Sequence, residues 1–483
     1  MNSTTLAART EDGGTREQPI RLSTEVEEAL YEVRKKIHPR AVQGWYAGWR
    51  WALVWFTQLL FYGGVWVTWN GRQAVLFDLA QRKFYIFGLV LWPQDFIYLA
   101  VLLVIAALSL FLFTAVAGRL FCGYACPQTV YTEIFLWIER QVEGERGARI
   151  RLDAGPKDFE RFAKKAIKHT FWILFALYTG LTFVGYFTPI RTLIPEIWNV
   201  QLGPWEAFWI LFYGLATYGN AGWLREQVCK YMCPYARFQS AMFDRDTMII
   251  TYDRERGEPR GGRNRKSDAG ALGLGSCVDC GICVQVCPTG IDIRQGLQYE
   301  CIGCAACVDG CDQVMDKMGY ARGLIRYSTE NALAGHWSDR QIWRRAARPR
   351  TLIYGAILGA IICAFFYSLA MRVPLKVDVI RDRGTLARVV DDGMVENVYT
   401  LRIMNTEEER RRYLVRVGGI AGATIASESV VEVPGATTLS FPVRVRVAPG
   451  QGQKGSNRID FELRALGHEG IEAREKSVFI VPR

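Results

Sequence analysis

Hydrophobic residues are gathered in five long runs along this chain, at residues 49–69, 96–117, 170–188, 205–218 and 352–371. A helix of about 20 apolar residues is long enough to cross the hydrocarbon core of a bilayer. Another apolar stretch, at 84–92, is separated from the second run by Pro93, Gln94 and Asp95, so we expect it to lie at the membrane interface. The pattern therefore predicts five transmembrane helices, of which the fourth is short.

Apolar and polar residues alternate instead beyond Arg372. The segments VRVRV at 443–447 and FELRAL at 461–466 have the period of half-buried strands, and turn sequences such as DDG at 391–393 separate them. A region of about 110 residues with this pattern has the size of an immunoglobulin-like β-sandwich. It contains no cysteine and a single histidine, His468, so we interpret residues 373–483 as a binding or scaffolding module.

The first 48 residues are predicted to form a cytoplasmic arm with an amphipathic helix. Residues 1–22 are polar and lack the apolar core of a signal peptide, so we expect no cleavable signal. Apolar residues then recur at helical spacing beside a short basic run, at Val26, Ala29, Leu30, Val33 and Ile37. This amphipathic helix either lies on an anionic membrane surface or packs against the protein with its charged face in water.

Basic residues set the predicted orientation. The net charge is +11, but the Lys and Arg residues collect beside the apolar runs, which argues against a nucleic-acid partner and for membrane lipid. Ten of them lie between Arg119 and Lys168, whereas the loop between the third and fourth runs has only Arg191. The positive-inside rule therefore places the amino terminus and residues 244–350 in the cytoplasm, and residues 373–483 outside it.

Eight of the 13 cysteines lie between Cys277 and Cys311, in two runs with the spacing C-x2-C-x2-C-x3-C. This is the bacterial-type 4Fe–4S pattern, in which three thiolates hold one cluster and the fourth reaches the other. It predicts one cluster on Cys277, Cys280, Cys283 and Cys311, and a second on Cys301, Cys304, Cys307 and Cys287. The alternative is a pair of zinc knuckles, although zinc sites usually group cysteines as two separated pairs.

Four further cysteines form a repeated C-x3-C-P motif, at Cys122, Cys126 and Pro127 and again at Cys229, Cys233 and Pro234. Proline favours the first position of a helix, so Cys126 and Cys233 are predicted to cap helices at 127–140 and 234–243. A helix N-terminus would lower the pKa of a cysteine thiol.

Several roles for these four thiols stay open from the residues alone. They could pack helix ends, hold a structural zinc ion, hold an additional iron–sulfur cluster, bind copper(I) or cycle between dithiol and disulfide. Cys363, alone in the fifth run, is interpreted as a packing residue. No histidine lies well inside an apolar run and no nucleotide-binding glycine motif is found, so we expect neither b-type haem nor flavin.

The predicted fold class is a multidomain membrane protein. Its parts are a cytoplasmic arm at 1–48, four transmembrane helices with both C-x3-C-P motifs at 49–243, a bacterial-type two-cluster ferredoxin domain at 244–350, a fifth transmembrane helix at 351–372, and the immunoglobulin-like β-sandwich at 373–483.

This order of segments resembles the FixG/CcoG (RdxA) cytochrome c oxidase accessory proteins. The resemblance covers nearly the whole chain, and it implies a bacterial inner-membrane protein that supports biogenesis of cbb3-type oxidase. The implied activity is that of a cupric reductase, with the eight cluster cysteines as electron carriers and with Cys122, Cys126, Cys229 and Cys233 as copper or redox thiols. Copper would be a substrate or a transient ligand.

The implied partners are assembly factors of cbb3-type oxidase or a copper transporter, together with an unidentified electron donor. A homodimer stays open. Two other functions also stay open: a quinol-linked membrane ferredoxin similar to NapH and NosR, which would feed a partner reductase, and a non-catalytic scaffold whose clusters sense oxygen or redox state.

Overall fold

The computed structural model describes residues 36–267, 270–382, 387–467 and 470–482. The predicted amphipathic helix of the arm lies almost wholly outside these residues. The longer helices, numbered in chain order, are α1 Trp45–Gly64, α2 Phe96–Ala117, α3 Leu120–Tyr124, α4 Pro127–Glu143, α5 Arg146–Ala154, α6 Phe159–Val184, α7 Ile190–Trp198, α8 Pro204–Thr217, α9 Pro234–Met242, α10 Ala306–Met318, α11 Glu330–Ala334, α12 Asp339–Ala346 and α13 Pro349–Ala370.

Three helices in the described part of the chain are long and apolar enough to cross a membrane: Pro93–Ala117, Phe159–Val184 and Pro349–Ala370. The first and third of these bury almost none of their apolar side chains against the protein. Contiguous apolar surface of this extent is not left in water by a folded protein, so the chain is a membrane protein. Cys363 on α13 is exposed, so the prediction that it packs inside the chain is wrong.

The other two predicted spans are helical, but they lack the length and composition by which the three helices qualify as membrane-spanning. The run at 49–69 forms α1, which ends at Gly64, and it is rich in tryptophan and contains the buried Arg50. The run at 205–218 forms the 14-residue α8, and the chain continues as a π-helix over Tyr218–Leu224. At 1.5 Å per residue, α8 alone spans about 21 Å, less than the hydrocarbon core.

The stretch predicted to lie at the interface is part of a small antiparallel sheet. Its strands are Val75–Asp78, Lys83–Ile86 and Leu89–Leu91, and they bury Leu76, Tyr85 and Val90 on one face. The 3-10 turn Pro93–Asp95 follows. The Asp95 carboxylate forms ion pairs with Arg372, at 2.7 Å, and with Lys376. This sheet therefore ties the start of α2 to the end of α13.

The segment with eight cysteines folds around a two-stranded sheet, Ile249–Tyr252 paired with Ile325–Ser328. Between these strands lie the short helices Ile282–Gln285 and α10. Its buried core combines cysteines with aliphatic residues such as Val308, Met315 and Leu324. The described end of the arm joins it, because the Arg40 N–H donates to the Gln285 carbonyl at 2.8 Å.

Residues 375–481 form two antiparallel sheets, as the alternating pattern predicts. One has the order Thr424–Ile425, Thr438–Val447, Val395–Asn405 and Leu375–Arg381. The short strand Arg388–Val389 also pairs with Val395–Asn405. The other has the order Val430–Val433, Arg411–Gly418, Gly455–Ala465 and Glu472–Val481. Their inner faces enclose a core that includes Tyr399, Tyr413, Phe461 and Phe479, all fully buried.

Candidate metal centre

The structure brings the eight cysteines of the two runs together in the crossed arrangement that their spacing predicts. Cys311, the last of the second run, lies within electrostatic range of Cys277, Cys280 and Cys283. Burial and these neighbours raise the pKa of the Cys311 thiol to about 12. We call Cys277, Cys280, Cys283 and Cys311 the first group.

The second group consists of Cys287, Cys301, Cys304 and Cys307. Burial raises the pKa of Cys301 to about 12, and both Cys304 and Cys287 act in the same direction because they lie close to it. A small cavity lies among the four thiols, and Cys283 of the first group also lines it. Its other walls are mainly aliphatic, formed by Ile250, Ile291, Ile293 and Ile302. A cavity ringed by thiols and closed by apolar side chains fits a cubane cluster, which is held by four thiolates and shielded from water.

The backbone wraps around each group in the same way. In each run the residues on both sides of the second cysteine have positive φ: Asp279 and Gly281 around Cys280, and Gly303 and Ala305 around Cys304. Turns of left-handed backbone form concavities of N–H groups that suit anions, and iron–sulfur sites use them. Helices begin immediately afterwards, so Cys283 and Cys307 lie in a first helical turn.

The crossed grouping of the eight thiols bears on the choice between clusters and zinc. Zinc sites usually group cysteines as two separated pairs. Here each group takes three thiols from one run and the fourth from the other, Cys311 in the first group and Cys287 in the second. This grouping fits the bacterial-type two-cluster pattern better than the zinc knuckle.

The two C-x3-C-P motifs lie at the ends of apolar helices. Cys122 is on α3, just beyond α2, and Cys126 is the extended residue before Pro127 that begins α4. Cys229 is in a π-helical turn, Val228–Met232, and Cys233 precedes Pro234, which begins α9. Both cysteines predicted to be helix N-caps are N-caps, and the helices end at Glu143 and Met242, close to the predicted 140 and 243.

All four motif thiols come together in one place, which we call the thiol quartet. Cys122 lies near Cys126 and Cys229, and Cys126 lies near Cys233. The Cys122 thiol donates to Oε1 of the buried Gln239 at 3.3 Å. Although 107 residues separate the motifs, they form a single site.

The expected lowering of the thiol pKa at a helix N-terminus is wrong for Cys126. Burial raises the pKa of Cys122 to about 12 and that of Cys229 to about 11. The start of α4 lowers the pKa of Cys126, but burial outweighs it and the net direction is upward. At neutral pH these three thiols are therefore protonated in the metal-free protein.

The thiol quartet packs directly against the second group. A Cβ at Gly123 would lie 2.8 Å from the Cys304 Cα and from the Gly303 carbonyl, so only glycine allows this approach. Cys122 and Cys229 also belong to the same apolar cluster as Cys304 and Cys307. The Tyr327 hydroxyl, 3.4 Å from the Tyr124 hydroxyl, donates to the Gly303 carbonyl and closes this contact.

Two buried arginines stand at the same interface. Arg119 donates to the Tyr299 and Ala236 carbonyls and, at 3.4 Å, to the Cys301 carbonyl. Its charge lowers the pKa of Cys122, Cys229 and Cys301, against the larger effect of burial. Arg50 acts in the same way on Cys304. Both arginines thus place positive charge beside the second group, and Arg119 places it beside the quartet as well.

A buried ion cluster joins the two motif segments. Glu139 on α4 is fully buried and pairs with Arg225 at 2.7 Å, Arg149 at 3.7 Å and Lys168 at 3.8 Å. Arg225 precedes Cys229 by four residues, so this cluster fixes the second motif relative to the first. Sequence reasoning missed Arg119, Arg225, Glu139 and Gln239. The one signal in the sequence that could have pointed to these residues is the presence of charged side chains at the ends of apolar runs.

Comparison with known proteins agrees with this arrangement. The profile of a 4Fe-4S dicluster domain matches residues 224–330, that of a 4Fe-4S binding domain matches 99–143, and that of the IG-like fold at the C-terminal of FixG matches 365–482. The chain therefore carries iron–sulfur cofactors, and its C-terminal sandwich is immunoglobulin-like.

Three relatives are similar over most of their length. The nitrogen fixation protein FixG of Rhizobium meliloti is 39% identical over 427 residues, 82% of each chain. Protein RdxB of Cereibacter sphaeroides is 39% identical over 90% of this chain and 94% of its own. Protein RdxA of the same organism is 38% identical over 88% and 92%. The chain is therefore a member of the FixG family, which includes RdxA and RdxB, and it is an iron–sulfur electron-transfer protein of the membrane.

Proposed function

We propose that this protein reduces copper(II) to copper(I) at the thiol quartet. One observation carries the proposal: the quartet is in van der Waals contact, through Gly123, with the loop that holds Cys304. The residues that would hold the second cluster and the soft ligands that would hold copper therefore share one buried interface.

The quartet has the chemistry that copper reduction needs. Thiolate is a soft ligand that favours copper(I) over copper(II), so binding there makes gain of an electron more favourable. Each copper(II) ion takes up one electron and becomes copper(I). The protonated thiols lose their protons to solvent as they bind the metal, since the ligand is the thiolate.

The cluster ligands form the other half of the proposed site. The first group, with Cys311, and the second, with Cys287, would each hold one 4Fe–4S cluster, and each cluster supplies one-electron redox chemistry when bound. Arg119 and Arg50 place positive charge beside the second group, which favours its reduced and more negative state. The aliphatic walls of the cavity exclude water from it.

The membrane arrangement in this proposal has five spans, with α1 and α8 crossing beside the three long apolar helices. The arm, residues 244–350 and the quartet are then cytoplasmic, and the sandwich is periplasmic, in a bacterial inner membrane. The copper(I) product would serve assembly of a cbb3-type cytochrome oxidase, delivered through an assembly factor or a copper transporter. The family resemblance supports this destination.

A second candidate is favoured by a specific observation. The 4Fe-4S binding profile at 99–143 covers Cys122 and Cys126, and the dicluster profile covers Cys229 and Cys233. The quartet could then hold an additional iron–sulfur cluster, and the chain would pass electrons to a partner and not to copper. The two candidates predict different metal contents.

Metal analysis of anaerobically purified protein separates them. With copper at the quartet, we expect about eight irons per chain, both in the wild type and after Cys122, Cys126, Cys229 and Cys233 are changed to serine. One added equivalent of copper(I) should give sulfur ligation by X-ray absorption in the wild type, and this should be lost in the quadruple variant. About twelve irons, falling to about eight in that variant, would establish the second candidate and overturn the first.

A further inference from the structure

The two cysteine groups differ in their access to solvent. Of the eight cysteines, all within the described residues, Cys280 of the first group is the one that is exposed. The second group instead faces the thiol quartet, and its Cys304 is buried. Electron transfer slows steeply with distance, so a soluble donor reaches the chain most readily at Cys280.

A loop of basic residues covers the first group beside Cys280. The Gly261 N–H donates to the Cys277 carbonyl at 3.3 Å, and the Arg263 guanidinium donates to the same carbonyl at 3.3 Å. Arg260 lies 4.0 Å from Asp279, the neighbour of Cys280. A turn then follows, in which the Ser267 N–H donates to the Asn264 carbonyl, and it presents Arg265 and Lys266 to solvent.

The charges of this loop do not cancel. Two of its carboxylates have cationic partners: Asp253 pairs with Arg326 at 3.1 Å and Glu258 with Arg260 at 3.9 Å. The third, Glu255, lies 3.6 Å from the His336 ring nitrogen, which is charged only when protonated. Several cations, in contrast, form no ion pair with a described residue, namely Arg254, Arg256, Arg263, Arg265 and Lys266. Three of these are exposed, at Arg254, Arg265 and Lys266. Residues 254–266 therefore carry an excess of positive charge.

We propose that this surface, residues 254–266 together with Cys280, docks a small acidic one-electron carrier protein. Complementary charge speeds such encounters and orients the partner. The proposal rests on the proposed function, and it adds the class of protein that donates the electrons. At each encounter the reduced carrier gives up one electron and leaves oxidised, this chain gains that electron, and each electron reduces one copper(II) ion.

The structure also offers a membrane route, which the test must separate. An apolar cleft of about 520 Å³, lined by Trp45, Trp49, Tyr124, Tyr327 and Trp343 among others, opens between α1, α2 and α12. A quinol entering there would reach the second group and bypass the basic loop. None of the described residues that line the cleft is charged, so we expect this reaction to be insensitive to salt.

The test compares two sets of substitutions in the full-length protein in nanodiscs. The docking variant carries Arg260→Glu, Arg265→Glu and Lys266→Glu. The control variant carries the same change of charge on the sandwich, at Arg416→Glu, Lys454→Glu and Arg458→Glu, which are also exposed. Iron content and visible spectrum must match the wild type in both, which shows that the clusters are assembled.

An acidic plant-type ferredoxin is the probe. Binding of the oxidised probe, which needs no turnover, should weaken about tenfold or more in the docking variant and be unchanged in the control variant. The rate of electron uptake from the reduced probe should fall to the same extent, and about 10- to 100-fold in the wild type when salt rises from 20 to 300 mM. Equal binding and equal rates in the wild type and docking variant would overturn the proposal, as would uptake from a quinol in the nanodisc but not from the probe.

The same samples separate this proposal from the proposed function. Protein reduced beforehand and freed of reductant should reduce copper(II) equally fast in the wild type and docking variant. Loss of that reaction in both would refute copper reduction, even if probe binding follows charge as expected.

Discussion

Gly123 is the residue at which the two halves of the site touch. It lies between Cys122 and Cys126, and its missing side chain lets α3 meet the backbone of Gly303 and Cys304. Neither side can move away easily, because Arg119, at the start of α3, donates across the contact to the Tyr299 carbonyl and also to the Ala236 carbonyl of α9. The separation of the quartet from the second group is therefore set by this glycine.

Replacing Gly123 by alanine should push the two apart. The new Cβ would lie 2.8 Å from backbone atoms, which cannot shift cheaply, so we expect a cost of about 1–3 kcal/mol in the free energy of unfolding. Copper(II) reduction by the prereduced protein should slow more than tenfold while both clusters stay assembled. Gly219→Ala, in the π-helix where a Cβ meets nothing within 4 Å, is the matched control. Normal copper reduction in Gly123→Ala would show that the contact is not the electron route.

Sequence could identify the thiols of this site but not their surroundings. The spacing of the eight cysteines dictates which of them share a cluster, because a loop of two or three residues reaches only one face of a cubane. Arg119, Gln239 and Glu139 could not be found in this way, since each contacts a residue more than 80 positions away. The thiol pKa was mispredicted for a related reason: a cap is a local feature, whereas burial depends on the whole fold.

At the scale of elements, the two motif segments are held together by the ion cluster around Glu139. The cluster joins α4, α5, α6 and the turn that leads from Leu224 to Cys229. Buried charges of this kind are costly unless every partner is present.

Changing Glu139 to glutamine should therefore leave Arg225 and Lys168 undercompensated. We expect a loss of about 3–5 kcal/mol in the free energy of unfolding, measured by thermal or denaturant unfolding in detergent. Copper(I) affinity should fall with it, because the second motif loses its anchor. Glu160→Gln removes the exposed pair with Lys164 and should cost less than about 0.5 kcal/mol. Similar costs for the two variants would mean that the buried cluster does not organise the site.

The described end of the arm should detach as the pH falls. His38 is largely buried, and burial together with Lys36 and Arg149 lowers its pKa, against the opposing effects of Asp153 and Glu139. A histidine with a lowered pKa stabilises the docked state above its unfolded value, near pH 6.5, and loses that contribution below it. The protection factors of the amides at residues 36–44, which correct the exchange rate for its intrinsic pH dependence, should therefore fall as the pH is lowered from 7.5 to 5.5, with most of the loss below pH 6.5. His38→Asn should abolish this pH dependence, and an unchanged profile in that variant would assign it to another group.

At the scale of the molecule, the five apolar runs predict five transmembrane helices, whereas three helices in the described part of the chain have the length and composition to cross a membrane. The periodicity gave the right type of element at every run, and α2 begins and ends where predicted. Length is what differs: α1 ends at a Gly63–Gly64 pair, and α8 continues as a π-helix that no periodicity signals. The β-sandwich was easier to predict, because alternation is a local property of each strand.

Reporter fusions test the proposed topology. A reporter active only outside the cytoplasm should work when fused after Arg372 and fail when fused at Gly270, because basic residues concentrate in the loops that stay inside. One proposed span, α13, lies between the two positions, so activity at both would mean that the number of spans between them is even and not one. Activity at Gly270 alone would reverse the orientation and place copper reduction in the periplasm.

The central claim is that stored electrons leave this chain through the thiol quartet to copper, and one single-turnover experiment tests it most directly. Protein reduced anaerobically and freed of reductant is mixed with copper(II), and recovery of the oxidised cluster spectrum is followed together with capture of copper(I) by a chelator. In the wild type and in Cys363→Ser, whose cysteine is outside the site, we expect one copper(I) for each electron stored. In the variant with serine at Cys122, Cys126, Cys229 and Cys233, the rate should fall about 100-fold while the cluster content is unchanged. Copper reduction at the wild-type rate in that variant would contradict the account.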